Sequence, residues 1–205
     1  MKEFALLLFF IAASLQGVDA QITPQVVSTA NNQQPDAKYF APLPKDENGK
    51  IYLQREVQLS AGTDQEKAFQ KLQTWTDRCM QDSRIIKVTD IPSDQPQTIQ
   101  RQVCQTIVFS SSLLALDKTE MEYLLTISLQ GDKIKLTISH IHYRYNGENR
   151  DRMMLRYSAE DHIADEVALN KKRTKFVHGY KKFRVSTIDL IDEFESSLKF
   201  SFLAE

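Results

Sequence analysis

The sequence predicts an α+β domain in which helices cover one face of an antiparallel sheet. Three observations carry this. Four segments between residues 84 and 145 alternate apolar and polar side chains at the strand period, and Gly131-Asp132 joins the last two as a two-residue hairpin link. Helical stripes with capping residues lie before and after that block. Consecutive strands with helices set apart from them make a layered α+β arrangement rather than βαβ crossovers.

The elements follow in order. Ile51, Leu53, Val57 and Leu59 share one parity, interrupted by Arg55, and predict a first strand. Thr63 with Glu66 three residues on reads as a capping box, opening a helix whose apolar stripe is Ala68, Phe69, Leu72, Trp75, Cys79 and Met80. Trp75 lies on that stripe and reads as a core anchor. Strands are predicted over 84–90, 98–109, 121–130 and 133–145. Tyr123, Leu125, Ile127 and Leu129 alternate on one of the last pair, and Ile134, Leu136 and Ile138 on the other, which predicts a meander with a single buried face. Ser158 with Asp161 predicts a capped helix over 159–169, ended by Asn170. Ser186 with Asp189 predicts the start of a C-terminal helix striped by Ile188, Ile191, Phe194, Leu198 and Phe202.

Composition bounds the class. The chain has 205 residues, 26 basic against 27 acidic, with 41% apolar and 26% charged residues. That suits one domain with a small appendage, and it excludes a wholly disordered chain, a collagen-like fibre and a polytopic membrane protein. Lys2, the apolar run from Phe4 to Ala13 and the small residues near Ala20 have the order of a secretory signal peptide, 1–20, cleaved near Ala20. The apolar run is about half the ~20 residues a spanning helix needs. No cysteine follows it to accept a lipid. The mature protein is expected in the periplasm or outside the cell, without a membrane anchor.

Residues 21–49 are rich in Gln, Asn and Pro and read as an extended leader, so a single domain is expected over 50–205. Cleavage removes Lys2, Glu3 and Asp19 and leaves 25 basic and 25 acidic residues. A neutral chain has no global steering towards nucleic acid, so any polyanion site must be a local patch. Cys79 falls on the apolar helix face and Cys104 on the less apolar parity of its strand. That pattern favours two buried free thiols over a bridge.

The chain resembles a domain of unknown function with a TATA-binding-protein-like (TBP-like) fold that occurs in exported proteins of Gram-negative gut bacteria. The resemblance rests on LPKDENGKIYLQREVQL (43–59), KLQTWTDRC (71–79) and DEVALNKK with KKFRVSTIDLIDEF (165–172 and 181–194), and spans roughly residues 40–200. It implies the strand, helix, four strands, helix order derived above, and no chemistry. Nor does the fold's name imply DNA binding, since function lives in sites.

Two constellations can carry function. His140 and His142 form an H-x-H pair on one strand parity, a spacing at which two imidazoles can ligate a transition metal. A catalytic zinc needs a third ligand, which no local motif supplies. The competing reading is a phase change along the strand, because Ile141, Tyr143 and Tyr145 are apolar on the other parity. The stretch 171–184 carries Lys171, Lys172, Arg173, Lys175, Lys181, Lys182 and Arg184 with no acidic residue, interleaved with Phe176, Tyr180 and Phe183. Such a stretch can hold an acidic polysaccharide or lipid, or it can be a solvated connector with aromatic feet in the core. No nucleophile elbow, phosphate loop or cysteine–histidine pair is present, and no cofactor is implied. The expectation is a non-enzymatic binding or interaction module of the cell envelope. Its partner is another envelope protein or a second copy, docked on an uncovered sheet face at positions such as Thr126, Ser128, Thr137 and Ser139.

Overall fold

Side chains that alternate at period two leave one face of a sheet to be covered, and the apolar stripes of two helices cover it. The computed structural model describes residues 37–111, 116–145 and 155–203. The expected signal peptide, 1–20, and the expected leader up to residue 36 lie outside the described residues. A 3-10 turn, Ala37–Phe40, precedes β1 (Leu53–Gln58), α1 (Gln65–Cys79), β2 (Ile85–Ile91), β3 (Thr98–Ser111), β4 (Leu116–Gln130) and β5 (Lys133–Tyr145). After these come β6 (Leu155–Ser158), α2 (Ala159–His162), α3 (Asp165–Ala168) and α4 (Lys181–Leu203). The strands form a six-stranded sheet in the order β1-β5-β4-β3-β2, with β6 pairing the end of β5, and all pairings are antiparallel.

The buried face carries Val103 and Ile107 from β3, Tyr123, Leu125 and Ile127 from β4, and Ile134, Leu136 and Ile138 from β5. Leu72 and Trp75 of α1 and Ile188, Ile191 and Leu198 of α4 close over it. Trp75 is the anchor its stripe predicts: its ring meets Phe194 edge-on at 6.3 Å and its indole N–H donates to Ser197 Oγ at 3.1 Å. Gly131 opens the β4–β5 hairpin at φ +60°, where a side chain would be strained.

Several boundaries differ from the sequence reading, each through a contact made elsewhere in the chain. Thr63 does not cap α1, because its hydroxyl donates to Ser60 O at 2.6 Å. Asp64 caps instead, accepting from the N–H groups of Glu66 and Lys67. The Ser158–Asp161 capping box is present with both bonds, but the helix it opens lasts one turn. The Ile163 carbonyl accepts from Arg184 Nη1, and a second short helix follows at Asp165. Ser186 is interior to α4, not its start. The helix begins five residues earlier, because Phe183, Arg184 and Thr187 continue its buried face. The short strand β6 was not anticipated.

Residues 37–49, assigned by composition to the leader, pack as part of this unit. Lys38 bridges Asp189 and Asp192 of α4, each at 2.8 Å, and Tyr39 donates to Asp189 at 2.7 Å. Lys45 and Ile51 form a β-bridge. The prolines at 42 and 44 preclude a helix, yet an extended strap needs none: its carbonyls are satisfied by a side chain from α4.

Candidate functional site

The strand register brings the other sheet face together row by row. One row runs Ile91, Gln100, Thr126, Thr137 and Gln54 across five strands, and the next runs Thr89, Gln102, Leu124 and Ser139. None of these nine side chains is charged. The rows on either side are. Lys87, Cys104, Glu122 and His142 align on one flank, followed by Glu120, Arg144 and Arg156, and Lys135 with Glu56 lie on the other. Among the described residues no helix lies over this face, and its side chains are half-buried or exposed apart from Ser128, at 9% accessibility.

His140 marks a bulge in β5. The pairing steps from Glu122↔His142 to Leu124↔Ser139, so two β5 residues oppose Tyr123, and His140 takes φ +53°. The extra residue moves the buried parity from Ile134, Leu136 and Ile138 to Ile141 and Tyr143. This is the phase change, and it keeps both histidines off the core. They line a shallow depression of about 600 Å³ on the open face together with Lys87, Glu122, Arg156 and Cys104. His142 Nδ1 lies 3.0 Å from the His140 carbonyl, and His140 Nδ1 lies 3.1 Å from Ser139 Oγ. Glu122 accepts from Arg156 at 3.2 Å. Among the described residues no group of three or more His, Cys, Asp or Glu side chains is placed to hold a metal ion.

Cys104 sits on this open face, whereas Cys79, the last residue of α1, packs against the core, so the thiols lie on opposite sides of the sheet and both are free. Each is half-buried rather than buried. Burial pushes the Cys79 thiol up to about 11. Burial, with Glu120 and Glu122 nearby, also raises Cys104. A thiol held above its ordinary range is mostly protonated at neutral pH and is a poor nucleophile.

The stretch 171–184 does not form a single basic patch. Lys171, Lys172, Arg173, Lys175 and Lys181 are exposed. Their loop is closed by the Leu169–Phe176 bridge and by Asn170 Oδ1, which accepts from the N–H groups of Thr174 and Lys175. Arg173 leans on Asp165 at 3.3 Å. Lys182 is drawn inward, donating to Asp117 at 2.8 Å and to Tyr145 Oη at 2.6 Å. Burial opposes its charge, but those two partners outweigh it and raise its pKa.

Arg184 is wholly buried and donates to the carbonyls of Tyr39 at 2.7 Å, Ala41 at 2.7 Å and Ile163 at 2.5 Å, and to Asp165 at 2.9 Å. It cannot contact a polymer, so Arg184 leaves the predicted patch for a structural role, and Lys182 leaves its exposed part. The aromatic feet are real: Phe183 is in the core and Phe176 packs on Phe40 at 4.7 Å. Sequence reasoning named Thr126, Thr137 and Ser139 on this face but not the two neutral rows they belong to, whose signal lies in the uncharged parity of residues 98–102, 124–128 and 137–139 and needs the register to be seen as one surface.

Comparison with known proteins agrees with this architecture. A family model described as a domain of unknown function (DUF4468) with TBP-like fold matches residues 54–144. The crystal structure of a DUF4468 family protein from Bacteroides ovatus is 30% identical, with a TM-score of 0.72, over 82% of this chain and 94% of that one. A TBP-like protein from Parabacteroides distasonis, 19% identical with a TM-score of 0.61 over 78% and 97% of the two chains, shares the fold. No curated protein matches the sequence.

Proposed function

Because the chain belongs to the DUF4468 family, whose TBP-like fold brings no activity with it, we propose from its own surface that it is an exported, non-catalytic interaction module of the bacterial cell envelope. In this reading the signal peptide at 1–20 delivers it to the periplasm or beyond, and the open sheet face is where it docks another envelope protein. One observation carries the docking surface: two adjacent uncharged rows across the middle of that face, with charged rows on both flanks. Protein interfaces that form between independently folded partners are depleted of charge at their centre and polar at their rim. A face five strands wide whose depression is shallow and open also suits a protein surface better than a small molecule, which prefers an enclosing site.

The test is site-specific photo-crosslinking in the producing cell, with the crosslinker at Thr126 or Thr137 and, as control, at exposed Gln73 on α1. The reading expects an adduct with one envelope protein from the first two positions only. It also expects that adduct to be lost when Gln102→Arg or Ser139→Arg is added, with unchanged thermal stability. Adducts equal from Gln73, or absent from both face positions, would overturn it. An adduct with a second copy of the chain would replace the separate partner with self-association.

A further inference from the structure

A second concavity lies away from the open sheet face, where the end of β5, β6, α2 and the connector leading into α4 meet. It has a volume of about 410 Å³ and is lined by Tyr145, Tyr157, His162, His178, Tyr180 and Lys182. The His162 imidazole lies among the lining rings, with ring centroids of Tyr157 at 4.4 Å, Phe183 at 4.7 Å and Tyr180 at 5.5 Å from its own. Tyrosine and histidine rings that keep one side in water leave ring face open to a guest. Here Tyr145, Tyr157, His162 and Tyr180 all stay partly exposed. His162 Nδ1 is buried with no hydrogen-bond partner among the described residues.

The charges at the recess select the ligand. Among the described residues no carboxylate lines it, while His178 and the Lys182 ammonium, the latter paired with Asp117 at 2.8 Å, do. That ammonium already occupies the cation position over the Tyr145 ring, 4.3 Å from its centroid, so a cationic guest is excluded. Of its three N–H donors, two serve Asp117 and Tyr145. Among the described residues nothing accepts from the third. Flat ring faces beside phenol hydroxyls and an ammonium match a guest with a flat ring and an acid group. We infer that this recess binds a small ring-bearing carboxylate, its ring against Tyr157 and Tyr180 and its acid group at Lys182 and His178. An acidic sugar unit and an aromatic acid share that chemistry. The site is independent of the proposed docking face, so either can fail without the other.

The test is an NMR titration of the chain from residue 21 to 205 with trigalacturonate, phenylacetate and neutral maltotriose in turn, reading the His162 and Tyr180 ring resonances. Saturable shifts with either acid but not with maltotriose support the inference. A response to trigalacturonate alone assigns the guest to sugars, and a response to phenylacetate alone to aromatic acids. Tyr180→Leu, which keeps an apolar side chain at that position, should weaken binding about tenfold, and Lys182→Gln should do likewise. Lys171→Ala, in the exposed loop, should leave it unchanged. No saturable shift with any probe, an equal response to maltotriose, or binding indifferent to both Tyr180→Leu and Lys182→Gln would overturn it.

Discussion

Truncating Arg184 to alanine is expected to be among the most damaging single changes in this domain. The guanidinium is 0% exposed and makes four donations, to Tyr39 O, Ala41 O, Ile163 O and Asp165 Oδ1, all between 2.5 and 2.9 Å. The variant takes from the Asp165 carboxylate, 11% exposed, its buried partner, leaving it only Arg173 and the Leu43 N–H among the described residues, and leaves three carbonyls without this donor. Removing one partner of a buried ion pair costs about 3–5 kcal/mol, because the other charge stays buried. For a domain of this size, each kcal/mol lowers the melting temperature by about 2–4 °C, so the drop should be roughly 6–20 °C. Circular dichroism melts would measure it, and limited proteolysis should show cleavage near residues 37–44 first, since the strap is tied there. Arg184→Lys keeps the charge but not the planar fork that reaches separate segments, so it should lose a substantial part of the same stability. Arg173→Ala, on the exposed side of the same carboxylate, should cost under about 1 kcal/mol. An Arg184→Ala protein melting within a degree or two of the unchanged chain would refute the keystone role.

Three further outcomes follow from particular contacts. Burial holds the His162 pKa below its ordinary value, so the unfolded chain takes up a proton that the fold resists. The associated stability should be complete above about pH 6.5 and decline below it as pH approaches the depressed folded value; Asp161, which favours the proton, only moderates this. Melts from pH 7.5 to 5.5 should slope less in His162→Phe, and equal slopes would contradict the assignment. Asp64→Ala should cost about 1 kcal/mol through loss of the α1 cap, whereas Thr63→Ala should lose only its bond to Ser60; urea titrations that rank them the other way would restore the predicted capping box. Both cysteines should titrate with a thiol reagent once the protein is denatured without reductant. A mass two units lower, from a Cys79–Cys104 bridge, would show that the sheet does not separate them.

The set of buried strand residues, the hairpin at Gly131 and the helical stripe around Trp75 are legible in the sequence because they are local. Period-two alternation, a glycine at a positive φ and spacing of three and four residues each report on neighbours within one turn or one strand. The candidate docking face is half legible: the uncharged parity of each strand is visible, but which strands lie side by side is not, since pairing spans dozens of residues. The histidine pair shows the limit most clearly. H-x-H read on a regular strand continues the core parity, and one inserted residue at His140 reverses the meaning of every side chain after it.

The strap, the break between α2 and α3 and the early start of α4 were beyond any local pattern. All three depend on Arg184, which the sequence presents as the end of a basic run and the fold turns inward. Its partners lie 145, 143, 21 and 19 residues away. A buried guanidinium needs its donors satisfied at once. Carbonyls from such distant segments converge on one point only after the sheet and helices have packed, so composition and spacing place the elements while tertiary contact decides where they end and which charges remain on the surface.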